Sequence, residues 1–504
     1  MDLKALQNGS DFRGIAVSTE EYQANLTPEQ VKKIGVGMIH WLRDKKELRE
    51  KQEAGQLKIG IGHDSRITAD ILKQALSDSF VCHGIQVLDL GLATTPAMFM
   101  ATQFPQYDCD AAIMITASHL PYYFNGLKLF TRSGGAEKED IAYIVEHSEQ
   151  PLIEETGKIE KTEIIQTYAK DMVLKIRKGM KTEEAKPLAG FRIVVDAGNG
   201  AGGFFAEQVL AELGADISGS QFLEPDGTFP NHIPNPDNKE AMASIRQAVL
   251  DNQADLGVIF DTDVDRSAVV DGSGEVINRN NLIALLATIV LEEYPGSNIV
   301  TNSPTSSHLK TFIEEKSGKQ VRYISGYRNV INKMLELNSE GIETPLAIET
   351  SGHAAFKENY NLDDGAYVIA KLLMLLPRLK QEGKTLSDLI GTLKQPVETQ
   401  ELRFKIQTED VQTYGNQVIY DMQVFAKNTA GFAIDQENYE GIRVDVLEKY
   451  GSGWFLLRMS LHEPLLVLQI ENDLKGKNQT VLIKLAEFFK NYSFLDCKSL
   501  NQLL

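Results

Sequence analysis

Three aspartates at alternate positions form the strongest candidate for a chemical site in the sequence. Asp261, Asp263 and Asp265 follow the apolar run GVIF, which predicts a loop after a buried strand. Carboxylates this close repel one another by roughly 1 kcal/mol or more per neighbour unless a cation shares them. Because only oxygen ligands are on offer, a hard ion such as Mg²⁺ is favoured over zinc. The alternative is a solvated acidic turn. An EF-hand is excluded, since its sixth and twelfth positions would be Arg266 and Gly272 instead of Gly and Glu.

A serine next to a histidine lies in a second candidate loop. The apolar run AAIMI leads into Thr116, Ser118 and His119, and Pro121 closes the turn. Ser118 offers a nucleophilic hydroxyl, but adjacent side chains point in different directions and no Gly-x-Ser-x-Gly elbow surrounds it. By itself this segment predicts a polar turn rather than a hydrolase dyad.

A third loop carries groups that suit the recognition of sugar hydroxyls. Glu349, Ser351 and His353 supply a carboxylate, a hydroxyl and an imidazole, and Gly352 permits a tight backbone. Polar residues are common in turns, so this loop alone is a weak signal.

A fourth loop carries groups that suit phosphate. Arg458, Ser460 and His462 lie between the apolar runs WFLL and LLVLQI, which predict a hairpin. An arginine, hydroxyls and free backbone N–H groups form a cradle for an anion. An exposed loop arginine alone is more often simply solvated.

Alternating strands and helices must position these loops. The run KIGIGH predicts a strand, and a helix from Thr68 is expected to bury one apolar face formed by Ile71, Leu72, Ala75, Leu76 and Phe80. Similar units are FRIVVD, FFAEQVLAELGA and DISGS, and then SNIVTNS, HLKTFIEEKSG and QVRYIS. Such alternation predicts parallel sheets covered by helices, with ligands beyond the carboxyl ends of the strands.

From Pro396 onward, predicted strands follow one another directly and VLIKLAEFFKNY predicts a closing helix, a pattern typical of an α+β domain. We therefore predict four domains: 1–161 with the Ser118 loop, 162–274 with the aspartates, 275–395 with the sugar loop and 396–504 with the phosphate loop.

The composition and net charge of the chain limit the classes of binding partner to be expected. The 504 residues are 42% hydrophobic and 24% charged, as in ordinary globular proteins, and the net charge of −19 disfavours nucleic acid and anionic membranes. Three cysteines without a Cys-x-x-Cys pair, no apolar leader and no apolar run of about 20 residues favour a cytoplasmic protein.

Further motifs accompany the four loops in a fixed order. They are SDFRGIA at 10–16, GHDSR at 62–66, GLATTPA at 91–97, DAGNGAGG at 196–203, PDGTFPNHIPNP at 225–236 and DDGAY at 363–367. Over nearly its whole length the chain resembles the α-D-phosphohexomutase family, the phosphoglucomutases and phosphomannomutases. The resemblance implies three related α/β domains with mixed or parallel sheets and a C-terminal α+β domain around a central cleft.

The resemblance also implies roles for the candidate residues. Ser118 would carry a phosphate, which together with Asp261, Asp263 and Asp265 would hold one Mg²⁺ per chain. Lys128 would be the general acid/base. Arg13 and His119 would support the same phosphate. Contacts to the substrate would come from Arg266, Glu349, Ser351, His353, Arg458, Ser460 and His462.

The implied reaction interconverts hexose 1-phosphate and hexose 6-phosphate, of glucose or mannose. Ser118 would give its phosphoryl group to the substrate, forming a hexose 1,6-bisphosphate that turns over and returns its other phosphate to Ser118. The expected partner is thus a small sugar phosphate, and the expected assembly a monomer or homodimer.

Several positions depart from the family pattern. Leu120, Thr262 and Tyr327 replace an expected Asn, Gly and His, and Gln469 replaces a second Arg of the phosphate loop. The phosphate loop also carries Met459, Leu461 and His462 at unusual positions. Each missing charge-assisted contact to phosphate removes about 1.5–3 kcal/mol. A phosphoglucosamine mutase and a non-catalytic phosphosugar-binding protein are therefore kept as alternatives.

Overall fold

The structure is a computed structural model that describes residues 3–461 and 463–504. The described residues divide into two compact units. One unit holds the chain through Arg279 together with Ser351–Asp388, and the other holds Asn280–Thr350 and Leu389–Leu504. Segment 275–395 therefore contributes to both units, and we retain the four-domain division as a proposal.

The chain begins with a mixed sheet covered by helices. Its elements are β1 (Gln7–Asn8), β2 (Asp11–Ile15), α1 (Pro28–Asp44), α2 (Arg49–Glu53), β3 (Lys58–His63), α3 (Ala69–Val81), β4 (Gln86–Leu92), α4 (Thr95–Met100), β5 (Ala111–Ile115), β6 (Phe124–Thr131), β7 (Gly134–Gly135), α5 (Lys138–His147), β8 (Lys158–Lys161) and α6 (Ile165–Met180). The strands lie in the order β1-β2-β6-β5-β3-β4-β8, with β7 paired to β6. Strand β3 is parallel to β4 and β5, whereas β6 is antiparallel to β5 and β2. The carboxyl ends of β3 and β5 therefore lie side by side.

The predicted helix after β3 is confirmed as α3, but its buried face is narrower than expected. Leu72, Ala75, Leu76 and Phe80 are buried, whereas Ile71 is 57% exposed. At about 100° per residue the predicted residues span roughly half of the helix circumference, which is wider than the stripe one packed face covers. Ile71 lies at the edge of that arc.

A second mixed sheet carries the aspartate loop. Its elements are β9 (Ile193–Asp196), α7 (Lys239–Asn252), β10 (Leu256–Phe260), β11 (Ser267–Asp271) and β12 (Val276–Ile277). The order is β12-β11-β10-β9, with β10 parallel to β9 and antiparallel to β11. The helix predicted after β9 is a π-helical segment, Phe205–Leu210.

The strand predicted at DISGS is wrong. Within this segment only Asp216 forms an isolated bridge, to Arg192, and a second bridge joins Asp196 to Gln221 just after it. The Asp216 carboxylate accepts the backbone N–H of Ser218, and Gly219 has a φ of +95°. Such a turn, stabilised by an aspartate side chain, competes with strand pairing.

The third α/β segment follows. Its elements are α8 (Arg279–Glu293), β13 (Asn298–Asn302), α9 (Ser307–Glu315), β14 (Lys319–Tyr323), α10 (Tyr327–Ser339), β15 (Leu346–Ile348), β16 (Ala354–Phe356), β17 (Leu362–Asp363), α11 (Gly365–Leu373) and α12 (Leu376–Glu382). Strand β13 is parallel to β14 and β15, so the third predicted strand–helix–strand unit is confirmed. Strands β16 and β17 are antiparallel. Among the described residues, no helix is both long and apolar enough to cross a membrane.

The chain closes with an antiparallel sheet and packed helices, as predicted. The elements are β18 (Glu398–Ile406), α13 (Val411–Lys427), β19 (Phe432–Ile434), β20 (Ile442–Val446), β21 (Gly453–Met459), β22 (Leu465–Asn472), α14 (Lys477–Phe489), β23 (Leu495–Asp496) and α15 (Lys498–Asn501). The strand order is β19-β20-β21-β22-β18-β23. One face of this sheet packs an apolar core against α13 and α14.

Candidate active site

The loop between β10 and β11 gathers the three aspartates. Asp261, Asp263 and Asp265 are buried, and one carboxylate oxygen of each lies within 4.8 Å of the others. The loop doubles back tightly, with Val264 at a φ of +65°. Gly200 backs it closely, since a Cβ at this glycine would lie 2.6 Å from the carbonyl oxygen of Thr262. The glycine of DAGNGAGG thus permits the loop to pack against its neighbour.

Two basic side chains neutralise part of this charge. Lys128 Nζ donates to Asp263 Oδ2 at 2.9 Å and also to Asp265 Oδ2, while Arg266 Nε donates to Asp261 Oδ2 at 3.1 Å. Burial raises the pKa of Asp265, but Lys128, His353 and Arg266 outweigh it and hold that pKa well below its usual value. Burial and the other two carboxylates raise the pKa of Asp261.

The donor set fits a divalent cation. Asp263 Oδ1 is buried and accepts no hydrogen bond among the described residues, whereas Asp265 Oδ1 has only longer ionic contacts, 3.6 Å to His353 Nε2 and 3.9 Å to Arg266 Nε. An unpaired buried carboxylate oxygen is costly unless a cation or proton meets it. Three carboxylates against Lys128 and Arg266 leave one excess negative charge. The site could therefore hold a hard, oxygen-ligated metal ion.

Ser118 lies in the turn after β5 and faces the aspartates. It is 2% exposed and adopts a φ of +51°, a conformation that costs a residue other than glycine about 1 kcal/mol or more. Its hydroxyl donates to Asp261 Oδ2 at 3.0 Å and accepts from Arg266 Nη2 at 2.9 Å. A hydroxyl held between a carboxylate and a guanidinium is oriented by both partners, unlike the solvated turn considered as an alternative.

His119 lies beside the same groups. Its Nδ1 is 2.5 Å from Arg266 Nη2 and 3.3 Å from Ser118 Oγ. Burial, together with the positive charges of Arg266 and Arg13, lowers the pKa of His119 well below its usual value. Since a guanidinium can only donate, Nδ1 acts as an acceptor and His119 is neutral.

Lys128 and Arg13 come from neighbouring antiparallel strands. Lys128, on β6, lies opposite Met114 of β5. Arg13, on β2, pairs with Gly126 of β6 and points Nη1 to within 3.5 Å of the carbonyl oxygen of Ala117. Strand pairing thus places both basic side chains next to the Ser118 turn.

His353 also approaches the aspartates. Its Nε2 is 3.6 Å from Asp265 Oδ1 and 3.7 Å from Asp363 Oδ2, and its Nδ1 is 2.9 Å from Ser351 Oγ. An isolated bridge between Arg266 and His353 holds the two loops together. The structure therefore places Ser351 and His353 beside the aspartate loop, in addition to any role at a sugar.

Glu349, in the other unit, follows β15 and is buried. Its Oε1 accepts the backbone N–H of Gly326 at 2.7 Å. Gly326 caps the start of α10 with a φ of +114°, just before the unexpected Tyr327. Glu349, predicted from the sequence to bind sugar, thus stabilises the turn just before Tyr327, the residue that replaces the expected histidine.

The fourth predicted loop joins β21 to β22. Arg458 Nη1 donates to the carbonyl oxygen of Met459 at 3.2 Å and lies 3.8 Å from Glu440 Oε1. Ser460 Oγ accepts the backbone N–H of Glu463 at 3.3 Å. His462, also predicted for this loop, lies outside the described residues.

Three contacts of these groups were not anticipated from the sequence. Thr95, at the start of α4, donates its hydroxyl to Asp263 Oδ2 at 2.5 Å, and Asp363 lies near His353. Glu440 accepts the hydroxyls of Ser303 and Ser325 as well as facing Arg458. Thr95 and Asp363 belong to the motifs GLATTPA and DDGAY, which offered a signal, whereas Glu440 lies in no motif that was singled out.

Comparison with known proteins identifies the family. Residues 4–151, 167–274 and 278–396 match the models of phosphoglucomutase/phosphomannomutase alpha/beta/alpha domains I, II and III. The phosphomannomutase/phosphoglucomutase of Pseudomonas putida is 30% identical over 429 residues, covering 85% of this chain and 86% of its own. The chain belongs to the phosphoglucomutase/phosphomannomutase family.

A further relative and a solved structure support the same family assignment. The phosphoglucomutase/phosphomannomutase of Thermococcus kodakarensis is 31% identical over 94% of this chain and 97% of its own. A solved structure of a phosphoglucomutase/phosphomannomutase family protein from Burkholderia thailandensis superposes with a TM-score of 0.79 at 25% identity, over 97% of this chain and 98% of that one. The predicted architecture of three α/β domains and a further C-terminal domain is confirmed, and the chain is a phosphohexomutase, an isomerase that transfers phosphoryl groups.

Proposed function

We propose that the chain is a Mg²⁺-dependent phosphohexomutase that interconverts the 1- and 6-phosphates of glucose or mannose through phosphorylated Ser118 and a hexose 1,6-bisphosphate. The observation that carries this proposal is the buried Ser118 hydroxyl, which is hydrogen-bonded to Asp261 and Arg266 at the edge of the aspartate cluster. A protein that only binds phosphosugars has no need of a hydroxyl oriented in this way.

Asp261, Asp263, Asp265 and phosphorylated Ser118 would hold the metal. A bound Mg²⁺ would offset the charge of the phosphoryl group and make its phosphorus more electrophilic. Arg266 already donates to Ser118 Oγ and Arg13 reaches the adjacent carbonyl oxygen of Ala117, so both can neutralise phosphate oxygens there. Neutral His119 can offer its Nε2–H to the same oxygens.

The transfer step exchanges one P–O bond for another. A free hydroxyl of the hexose phosphate attacks the phosphorus on Ser118, its new O–P bond forms, and the bond from phosphorus to Ser118 Oγ breaks. Lys128, as general acid/base, would give a proton from its ammonium Nζ to the departing Ser118 Oγ and take up the proton that the sugar hydroxyl loses, so that atoms and charge balance. The bisphosphate then reorients and gives its other phosphate back to Ser118.

The remaining predicted residues are assigned to the substrate. Glu349 and Ser351 would bind sugar hydroxyls, with His353 beside them. Arg458 and Ser460 would bind the phosphate that is not being transferred, with His462 in the same loop. These residues would recognise both the sugar and the phosphate of the substrate. Such recognition suits an enzyme that must bind the bisphosphate in either orientation.

Mass spectrometry and a coupled assay test the proposal. Purified protein treated with glucose 1,6-bisphosphate and Mg²⁺ should carry one phosphate on Ser118, and it should convert glucose 1-phosphate or mannose 1-phosphate. Ser118→Ala should remove both the phosphate and at least about 1,000-fold of kcat, because no other group forms the covalent intermediate. Ser133→Ala, an exposed serine in the turn between β6 and β7, is the matched control and should behave as the wild type.

Each other outcome has a defined meaning. Full activity in Ser118→Ala would exclude the phosphoserine mechanism. Turnover of glucosamine phosphate alone would identify a phosphoglucosamine mutase. Tight binding of hexose phosphates without phosphorylation or turnover would identify a non-catalytic binding protein.

A further inference from the structure

Arg66, just after β3, is buried beneath the Ser118 turn. Its Nη1 donates to the carbonyl oxygens of Pro121 and Phe124 at 2.8 and 2.9 Å, and its Nη2 donates to those of Ser118 and Leu120 at 2.5 and 2.7 Å. The side chain is 0% exposed. One planar guanidinium therefore binds successive carbonyls from one end of the turn to the other.

A second set of contacts ties the same turn to the end of β3. Asp64 Oδ2 accepts the hydroxyl of Thr116 at 2.7 Å, and Thr116 Oγ1 in turn accepts the backbone N–H of Ser118 at 2.9 Å. Asp64 also lies 3.3 Å from Arg66 Nε and accepts the backbone N–H of Arg66. Because β3 and β5 are parallel neighbours, their carboxyl ends bring Asp64 and Thr116 together.

The Arg66 guanidinium has little freedom to move. The ring of Phe229 lies over it at 5.2 Å, and Gly227 packs so closely that a Cβ there would be 2.3 Å from the carbonyl oxygen of Ser65. A buried arginine paired with a carboxylate and saturated by carbonyl oxygens is stable only in one geometry. The left-handed backbone at Ser118 likewise persists only where its surroundings enforce it.

We propose that Arg66 is a positioning residue that holds Ser118 Oγ in the geometry required for phosphoryl transfer. This inference rests on the proposed function of Ser118. Arg66 acts through the carbonyl oxygens of the turn. Asp64 acts through Thr116, whose hydroxyl oxygen accepts the backbone N–H of Ser118. A lysine would retain the charge, but its single ammonium cannot span carbonyls at both ends of the turn.

Arg66→Lys tests the proposal. Displacing Ser118 by about 1 Å should lower kcat per folded molecule by about 100-fold while KM changes less than about threefold, since Arg66 is assigned no contact with the sugar phosphate. Hydrogen exchange of the backbone N–H groups at 116–124 should accelerate by about tenfold or more, while the exchange of β3 and β5 stays unchanged.

Arg132→Lys is the matched control, because Arg132 is exposed and pairs only with Asp108 among the ion pairs of the described residues. It should leave kcat and exchange unchanged. If Arg66→Lys does not fold, Thr116→Val, which removes the acceptor for the Ser118 N–H, should show the same kcat and exchange effects.

The inference would be overturned if the kcat of Arg66→Lys fell only in proportion to the fraction of unfolded protein and hydrogen exchange at 116–124 stayed unchanged. Arg66 would then contribute to folding alone. Exchange is measured without substrate, so it decides the role of Arg66 even if the wild type converts no sugar phosphate. A wild type that converts no sugar phosphate would contradict the proposed function and leave the positioning role of Arg66 to be decided by exchange.

Discussion

The excess negative charge among Asp261, Asp263 and Asp265 means that the proposed metal ion would affect the stability of the folded chain as well as catalysis. Lys128 and Arg266 offset two of the three carboxylates, and the buried Asp263 Oδ1 accepts no hydrogen bond among the described residues. A cation that binds only the folded chain must raise its free energy of unfolding.

We expect Mg²⁺ at 100 times its Kd to raise the free energy of unfolding of the wild type by about 2.7 kcal/mol. Asp263→Asn, which removes one charged ligand, should largely abolish this increase. Urea denaturation with and without Mg²⁺ measures both values. Asp251→Asn, an exposed aspartate on α7, is the control and should keep the full response. An equal response in Asp263→Asn would show that the aspartates do not bind the ion.

His232 gives a separate expectation for pH. Its Nε2 lies 2.9 Å from Asp196 Oδ2, and its Nδ1 lies 3.0 Å from the carbonyl oxygen of Ile233. Burial lowers the pKa of His232, but the hydrogen bond and charge of Asp196, with smaller contributions from the Ile233 carbonyl and then Glu240, outweigh it and raise the pKa above its ordinary value.

A raised pKa means that the folded chain binds this proton more tightly than the unfolded chain does. The resulting stabilisation is complete below the unfolded pKa of about 6.5 and is lost as the pH rises through the folded pKa. A double-mutant cycle of His232→Asn and Asp196→Asn should therefore give a larger coupling free energy at about pH 5.5 than at about pH 8.5. A coupling that is the same at both values would contradict the ionic pair.

Sequence patterns located the acid cluster and Ser118 because each follows an apolar strand and needs only local spacing to be recognised. They did not reveal that Thr95 donates to Asp263 or that Glu440 faces Arg458. Both contacts join residues far apart in the chain, and strand order and register decide them. Long-range pairing of this kind leaves no periodic signal in a single sequence.

Among the elements, the hairpin of β21 and β22 explains how the phosphate loop differs from the family pattern. Arg458 lies opposite Val467, and Gln469 follows Val467 by two residues, so Arg458 and Gln469 occupy the same face of the sheet. Leu457 and Leu468, on the other face, belong to the apolar core. The neutral Gln469 therefore lies beside Arg458, where the family pattern has a second arginine.

Gln469→Arg should restore a second cationic contact with the substrate phosphate. Diagonal neighbours on one sheet face lie about 7–8 Å apart, within reach of a long side chain. At about 1.5–3 kcal/mol per charge-assisted contact, KM for the hexose phosphate should fall by about tenfold or more. Steady-state kinetics measures the change. Gln417→Arg, which adds the same charge on exposed α13, is the control, and an equal fall in KM in both variants would contradict a local contact.

The elements themselves were largely predictable, and the errors have local causes. The apolar runs became strands and helices with nearly the expected bounds, since burial and chain periodicity agree there. Ile71 was predicted to be buried because sequence periodicity identifies a broad apolar arc of the helix. Packing buries only part of that arc, and Ile71 lies outside the buried part. The segment DISGS was misread because the backbone N–H of Ser218 donates to the Asp216 carboxylate, which favours a turn over strand pairing.

On the scale of the whole molecule, the net charge of −19 coexists with cationic side chains concentrated at the candidate active site. Arg13, Lys128 and Arg266 lie around the Ser118 turn and the aspartates. With a divalent cation bound among the aspartates, this site would be locally positive and could attract a small dianionic substrate even when the surface as a whole repels polyanions.

The unit that contains Ser118 and the aspartates is completed by a distant segment of chain. Helix α11 is buried in it, where Tyr168 donates to Asp364 at 2.6 Å and Ser267 donates to the carbonyl oxygen of Gly365 at 2.9 Å. His353 arrives with the same segment. The first part of the second unit, Asn280–Thr350, precedes this segment in the chain.

During synthesis, the ribosome must therefore add the residues from Asn280 to Leu373 after the first segment of this unit, before helix α11 can pack against α6 and β11. At about 5–20 residues per second this takes on the order of ten seconds. For that interval the nascent chain exposes the apolar surface that α11 will cover, and chaperones have their clearest opportunity to bind it.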